Sequence, residues 1–290
     1  MVGERYRLLA PLGSGASGTL WRALDERAGT EVAVREPRLP GDPGGEVRRR
    51  AAHRLGHEAR AAARVDHPAA LAILDVVVEG AVPDGPPWIV TEYVPGESLR
   101  DVLARGPLAA PEAARVGLAV LGALTAAHAV GIVHRDVRAA NVLLGPHGRI
   151  VLTDVGTARP PGAGDPGGIP GAGPAADLRS LGALLHTAVT AGPANGAGPA
   201  GGAGPADGAG PEGAGPEGAG PLAPLVRRLL AYGTGPEPYP GARETEAALR
   251  AVAEAPAPSV PSAPGPASAG GRAAAGFPVA DPGLPARTTP

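Results

Sequence analysis

The sequence predicts an α+β protein whose first part is rich in β-strands and whose second part is mainly helical. Short runs in the first hundred residues alternate partly in polarity and are separated by glycine-rich turns, which is typical of strands. The segments that follow have the length and apolar spacing of helices. A chain of 290 residues is long enough for one two-lobed domain or two small ones.

The elements are expected in the following order. Strands are predicted at residues 6–12, 19–24, 31–35, 71–78 and 88–94, with one helix at 46–64 between the third and the fourth. Helices are predicted at 98–105, 111–130, 222–231 and 243–253, and short strands return around a polar loop at 132–153.

Glycine and proline indicate that the folded part is shorter than the chain. The 46 glycines and 36 prolines are more than twice their usual combined share of roughly 12%. They concentrate in residues 193–221, a loose Gly-Ala-Gly-Pro repeat, and in residues 255–290. Because such segments have little apolar surface to bury, we expect a disordered insert and a disordered tail.

The charge balance argues against nucleic acid as a partner. The 26 basic residues, all arginine, stand against 28 acidic ones for a net charge of −2, and the arginine-rich helix at 46–64 is typical of a solvated face. The chain has no cysteine, which excludes a thiolate metal site. The uncharged residues 116–133 are rich in Ala and Gly, which favours a buried helix over a membrane span. We expect a cytoplasmic protein.

A glycine-rich loop near the N terminus is a candidate phosphate-binding element. Gly13, Gly15 and Gly18 form a Gly-x-Gly-x-x-Gly pattern, which is weak on its own. A strand rather than a helix follows it, so the loop would lie over phosphates as a lid and offer its backbone N–H groups. An ordinary glycine-rich hairpin is the alternative.

Three polar residues further along supply the chemistry that such a lid would serve. Asp136 and Asn141 lie in the segment His-Arg-Asp-Val-Arg-Ala-Ala-Asn, and Asp154 follows thirteen residues later. One carboxylate can accept or orient a hydroxyl proton. The amide oxygen and the second carboxylate can hold a hard cation. This set is typical of magnesium-dependent phosphoryl transfer to a hydroxyl.

Taken in order, the glycine loop, Val-Ala-Val-Arg at 32–35, the His-Arg-Asp loop and Asp-Val-Gly at 154–156 resemble the bacterial, eukaryotic-like serine/threonine protein kinases. The resemblance covers about residues 4–254. It implies a two-lobed kinase-like fold, with a β-rich N-lobe at about 4–94 and a helical C-lobe at about 95–254. It also implies ATP and Mg²⁺ as cofactors.

The resemblance assigns roles to individual residues. Asp136 would be the catalytic base, Arg138 stands where the family has a substrate-loop lysine, and Glu58 stands at the helix-C glutamate. Asn141 and Asp154 would hold magnesium.

The same resemblance places the nucleotide. Its expected contacts are Gly13, Gly15, Gly18, Leu20, Ala33, Arg35, Glu92, Val94 and Leu143. Among these, Glu92 and Val94 belong to the hinge that pairs with the adenine edge, with Thr91 before it as the gate residue. A further residue, Asp177, resembles the helix-F aspartate that anchors the catalytic loop.

Several positions depart from the family pattern. Arg35 replaces the strand-three lysine, which is not a conservative change, and Val155 replaces a phenylalanine. Only 23 residues separate Asp154 from Asp177. No Ala-Pro-Glu occurs there, and no Ser or Thr lies between residues 158 and 179, so the activation segment is shortened and lacks a phosphate acceptor.

These departures leave two functional hypotheses. In the first, the chain is a pseudokinase-like signalling scaffold that binds ATP–Mg²⁺, transfers phosphate weakly or not at all, and acts on an unidentified protein substrate or partner. In the second, it is an active serine/threonine kinase that uses Arg35 in place of lysine.

Overall fold

A computed structural model describes residues 1–15, 18–78, 85–157, 173–191, 216–231 and 240–255 of the 290-residue chain. Within them a β-sheet lobe precedes a helical lobe, as the sequence predicts.

Five strands form the antiparallel sheet of the first lobe. They are β1 (Tyr6–Gly15), β2 (Gly18–Asp25), β3 (Thr30–Pro37), β4 (Ile73–Val78) and β5 (Pro87–Glu92), in the spatial order β1-β2-β3-β5-β4. Alternation along β3 sends Val32 and Val34 into a small core with Tyr6 and Val90. Ala33, between the two valines, points to the opposite face of the sheet, and it is also buried.

One helix, α1 (Glu46–Ala62), packs against strands β4 and β5. Its buried positions, Ala52, Gly56, Ala59 and Ala62, recur every three or four residues and are all small. Small side chains on one face let a helix approach a sheet closely, while its many arginines remain toward solvent. The helix predicted at 46–64 is therefore confirmed and ends two residues earlier.

The second lobe is built around α3 (Ala110–Ala129). It packs against α4 (Pro174–Thr190) and α6 (Ala242–Ala253), and glycine allows the close contact. A Cβ on Gly117 would lie 2.9 Å from Leu185 Cδ2 and 3.0 Å from Leu249 Cδ2. Residues 116–129 of the uncharged stretch at 116–133 thus belong to a core helix, and the last four residues follow its end. In the portion of the chain that is described, no helix combines the length and apolarity that a membrane crossing requires.

The remaining elements complete this lobe. They are α2 (Leu99–Leu103), α5 (Ala223–Leu230), a three-stranded sheet of β6 (Glu97–Ser98), β7 (Val142–Leu144) and β8 (Ile150–Leu152), and 3₁₀ turns at Ala139–Asn141, Pro146–Gly148 and Pro216–Leu222.

The β7–β8 hairpin sets the position of two predicted site residues. Val142 pairs with Leu152, so the residues just outside the hairpin, Asn141 and Thr153, also meet, with the Thr153 N–H donating to Asn141 O at 2.8 Å. Asp154 follows immediately. Residues 141 and 154 are therefore brought to the same end of one hairpin although thirteen positions separate them.

The predicted insert needs a correction at its C-terminal border. We expected disorder over 193–221, but Pro216–Leu222 forms 3₁₀ turns and Ala219 is buried in the core of the helical lobe. Composition alone misplaced the border because it does not show that Ala219 packs into the same core as Leu222. Residues 193–215, the activation segment at 158–172 and the tail from 256 onward lie outside the described residues.

Candidate functional site

A cavity of about 230 Å³ opens between the two lobes. It gathers eight of the residues that the sequence assigned to nucleotide or metal. They are Leu20, Ala33, Arg35, Glu92, Val94, Asn141, Leu143 and Asp154. Residues from four strands, the segment after β5 and the catalytic loop thus meet at one hollow.

The end of the cavity where the resemblance implies that adenine binds is apolar. Leu20 and Ala33 come from neighbouring strands of the first lobe, and Leu143 comes from β7 of the second. Thr91 lines the cavity beside them, and its hydroxyl donates to the carbonyl of Glu92 at 3.2 Å. Aliphatic groups from both lobes facing one hollow are suited to a flat aromatic ring.

The three predicted loop glycines do not line this cavity, although Leu12 and Leu20 on either side of them do. Gly15 and Gly18 pair across the β1–β2 turn. Apart from each glycine and its own chain neighbours, no atom of the described residues lies within 4 Å of where a Cβ on Gly13 or Gly15 would be. Gly18 differs, because its φ of +128° places a Cβ 1.9 Å from the carbonyl oxygen of Glu36.

The Glu92 carboxylate has a structural partner that the sequence did not reveal. Both of its oxygens pair with the Arg149 guanidinium at 2.8 Å, and Oε1 also accepts the Ala72 N–H at 3.1 Å. Arg149 belongs to the turn between β7 and β8, so this pair joins the two lobes beside the cavity. Any contact of Glu92 with a ligand is left to its backbone.

The catalytic loop is held from below by Asp177, as the resemblance implies. Its carboxylate is fully buried and accepts the backbone N–H groups of His134 and Arg135, each at 2.8 Å. His128 Nε2 lies 2.7 Å from the same carboxylate, a contact that the sequence did not indicate. Three partners on one aspartate fix the course of the loop that carries Asp136.

His134 is a packed structural residue, as predicted. It is 1% exposed, and its Nε2 lies 2.8 Å from the Thr153 carbonyl oxygen, which can only accept. Nε2 therefore carries the ring proton, and Nδ1 accepts the Asp136 N–H at 3.2 Å. The ring ties the catalytic loop to the end of β8.

Asp136 and Asn141 form one unit. The Asn141 amide nitrogen donates to Asp136 Oδ2 at 2.9 Å and to the Asp136 carbonyl at 2.8 Å. This leaves the Asn141 amide oxygen as the group available to a cation. Arg138 lies half-buried on the same loop.

The part of the site that the resemblance assigns to the phosphates departs from what it implies. Arg35 forms an ion pair with Asp154, and the two side chains are only 16% and 15% exposed. Glu58, which should pair with residue 35, makes no ion pair or hydrogen bond to any residue that the structure describes. Burial raises the pKa of the Glu58 carboxyl, and the positive charges of Arg135, Arg54 and His57 partly offset this.

The site offers a cation the right atoms but an unfavourable charge. The Asn141 oxygen and the Asp154 carboxylate are the hard oxygen ligands that Mg²⁺ prefers. However, the guanidinium of Arg35 already neutralises Asp154. In this arrangement the residues do not fit a magnesium ion.

The comparisons with known proteins agree with this geometry. A family model described as a protein kinase domain matches residues 6–165, which is more than half of the chain. The chain belongs to the protein kinase family. The match runs from β1 through the catalytic loop and past Asp154.

Relatives narrow this to the bacterial, eukaryotic-like serine/threonine kinases. A probable serine/threonine-protein kinase of Streptomyces coelicolor is 38% identical over 161 residues, 54% of this chain and 23% of its own. Serine/threonine-protein kinase PknL of Mycobacterium tuberculosis is 34% identical over 196 residues, 67% of this chain and 44% of its own. In both cases the matched region of this chain covers less than half of the relative's own length.

A solved structure supports the two-lobed kinase fold. The crystal structure of the Mycobacterium tuberculosis PknI kinase domain superposes with a TM-score of 0.62 at 25% identity, covering 87% of this chain and 96% of that one.

Proposed function

We propose that this kinase domain binds ATP in the cavity between its lobes and transfers the phosphoryl group weakly or not at all, as a cytoplasmic pseudokinase-like scaffold for a protein substrate or signalling partner. The observation that carries the proposal is the ion pair between Arg35 and Asp154, formed while Glu58 stands apart.

Nucleotide binding is supported by the lining of the cavity. Leu20, Ala33 and Leu143 supply aliphatic surface from both lobes, and the segment 91–94 borders the same hollow. The open space around the α-carbons of Gly13 and Gly15 would let phosphate oxygens approach the backbone at these two residues.

Weak transfer is supported by the charges. Phosphoryl transfer depends on positioning, and the strand-three cation and the Asp of the Asp-x-Gly sequence must each face the phosphates. Here those two groups face each other, because the long planar guanidinium of Arg35 reaches Asp154. Freeing Asp154 to hold a metal ion beside a triphosphate would require breaking a largely buried pair.

An active kinase is the second candidate, and the catalytic loop favours it. The Asp136 carboxylate is oriented by Asn141, and the loop is fixed by Asp177. These contacts support a role for Asp136 in orienting a substrate hydroxyl, and in an active kinase only the pair of Arg35 with Asp154 would have to rearrange.

Thermal denaturation of the full chain tests ATP binding. At ATP concentrations 100 times the dissociation constant, mass action stabilises the folded state by about 2.7 kcal/mol, so the Tm rises with ATP concentration. A matched variant, Ala33→Trp, fills the apolar end of the cavity and should remove the shift. An unchanged Tm for the wild-type chain at millimolar ATP contradicts the proposal.

Radiolabelled ATP separates the two candidates. We expect wild-type signal close to that of Asp136→Ala, the control for transfer at this site. Arg35→Lys should raise transfer by at least about tenfold, because a compact ammonium can leave Asp154 and pair with Glu58. A strong wild-type signal that Asp136→Ala abolishes would establish the active kinase instead.

A further inference from the structure

We propose that Arg35 is a built-in counter-cation for Asp154, taking the place of a divalent metal ion. The kinase site would then disfavour a metal at Asp154 and accept nucleotide phosphates without one. The second part of this inference rests on the proposed function, whereas the first concerns the protein alone.

The backbone fixes Arg35 where it can serve this role. In β3 it lies opposite Leu20 of β2 and Ile89 of β5, inside a five-stranded sheet. Its side chain lines the cavity and meets Asp154 at the end of the β7–β8 hairpin. The guanidinium is therefore presented to Asp154 by two regular elements.

No described acidic group other than Asp154 forms an ion pair with Arg35. Glu58 on α1 makes neither an ion pair nor a hydrogen bond within the described ranges. Burial also raises the pKa of the Glu58 carboxyl, which weakens its pull on a cation. The positive charge of Arg35 is thus paired with Asp154, and a guanidinium keeps its charge at any physiological pH.

A divalent ion would have to compete with this tethered cation. The two positive charges repel at the short distances of a shared carboxylate, and the low exposure of the pair limits screening by water. Mg²⁺ also loses its water shell reluctantly and demands near-octahedral geometry. A side chain already held beside Asp154 acts at high effective concentration and has neither of these costs.

The same guanidinium can serve phosphates. Arginine has five N–H donors in a planar fork, and one carboxylate uses only some of them. Arg35 lines the cavity together with Leu12 and Leu20, which lie on either side of the glycine loop. Arg35 would therefore neutralise Asp154 and offer positive charge to a triphosphate at once.

The first test uses Mn²⁺ alone, without nucleotide, titrated into the full chain and followed by electron paramagnetic resonance. We expect Arg35→Met to bind Mn²⁺ at least about tenfold more tightly than wild type, and Arg35→Met with Asp154→Asn to lose this gain. Arg7→Met, which removes an exposed β1 arginine paired with Glu26, is the matched control and should change nothing.

Equal Mn²⁺ affinity in wild type and Arg35→Met overturns the inference, and so does a gain that survives Asp154→Asn. Arg35→Gln repeats the comparison if Arg35→Met does not fold, as judged by circular dichroism.

The second test needs only the wild-type chain. Its affinity for a fluorescent ATP analogue should differ by less than about twofold between EDTA and millimolar Mg²⁺, and the ratio should grow at least about tenfold in Arg35→Met. A tenfold dependence on Mg²⁺ in wild type contradicts the inference. If the chain binds no nucleotide under either condition, the proposed function and the phosphate role of Arg35 fail together, and the Mn²⁺ titration still decides the first part.

Discussion

The two sides of this kinase site, which we propose face a substrate hydroxyl and the nucleotide phosphates and call the hydroxyl side and the phosphate side, are held in different ways. On the hydroxyl side, Asp177 fixes the catalytic loop through two backbone N–H groups and is fully buried. On the phosphate side, the arrangement depends on which charged side chains meet, and Arg35 meets Asp154 rather than Glu58. The first side has the contacts that the resemblance implies for Asp177, and the second lacks the pair between residues 35 and 58 that it implies.

This difference shows what makes a site robust to substitution. A buried carboxylate that accepts backbone N–H groups fixes the chain itself, so changes in neighbouring side chains leave the loop in place. An ion pair depends on how far each side chain extends. A substitution that changes the length or shape of one side chain can therefore give it a different partner. In this chain the side that depends on an ion pair of Arg35 differs from what the resemblance implies, and the side held by Asp177 does not.

Among the substitutions that test this difference between the two sides, we expect the largest loss of stability at Asp177. Asp177→Ala removes the acceptor for the N–H groups of His134 and Arg135 and leaves His128 without its partner. Two unsatisfied buried donors cost about 1–3 kcal/mol each, so unfolding in urea should show a loss of about 3–5 kcal/mol.

Two variants sharpen this test. Asp177→Asn keeps one acceptor oxygen and should cost less than Asp177→Ala. Glu246→Ala removes an exposed pair with Arg250 and should stay within about 0.5 kcal/mol of wild type. If Asp177→Ala is no more destabilising than Glu246→Ala, the loop is not fixed by the buried carboxylate.

A second, smaller effect comes from the glycine loop, where backbone geometry acts on the phosphate side. Gly18→Ala places a Cβ against the Glu36 carbonyl at a φ of +128° and should destabilise the fold by about 2–3 kcal/mol. Gly15→Ala meets open space, so its unfolding free energy should stay within about 0.5 kcal/mol of wild type.

For nucleotide affinity we expect the effect at Gly15, the glycine whose substitution leaves stability unchanged. Gly15→Ala should weaken ATP binding although its stability is unchanged, because a methyl group covers backbone that would face phosphates. Equal unfolding free energies for the two variants would show that the loop relaxes and that Gly18 is not required by its conformation.

The sequence predicted most of the fold because its signals were local. The strands of the sheet and the helix at 46–64 are confirmed within a few residues, since alternation and helical spacing survive a biased composition. The extent of α4 (Pro174–Thr190) was not predicted, because glycine and proline dominate the residues on both of its sides. The motif spacing predicted that Asn141 and Asp154 lie in one site, and both line the cavity.

The ion pairs were the part that sequence could not supply. Motif order indicates which residues belong to one site, but not whether Arg35 pairs with Glu58 or with Asp154. That choice depends on side-chain reach and on the approach of α1, which are properties of the packed structure. The pair of Glu92 with Arg149 was missed for the same reason, because the two lie 57 positions apart and in no shared motif.

The smallest expected effect concerns Glu58, and its sign follows from its pKa. Burial raises the pKa of this carboxyl in the folded state above its ordinary value of 4.5, so the ionised form is disfavoured by folding. Glu58→Gln should therefore raise the Tm slightly at pH 7. The gain should shrink as the pH falls through the raised pKa and vanish below about 4.5, where the carboxyl is protonated in both states.

Glu92→Gln is the matched control for Glu58→Gln, because it removes a carboxylate that does have a partner. The substitution removes the negative charge of the two-armed pair with Arg149. It should lower the free energy of unfolding at pH 7 by about 1 kcal/mol at most, and the Tm should fall with it. Opposite signs for the two glutamates would show that Glu58 stands apart from Arg35. A loss of stability in Glu58→Gln equal to that of Glu92→Gln would mean that Glu58 has a cationic partner in solution, and the contrast between the two sides of the site would no longer hold.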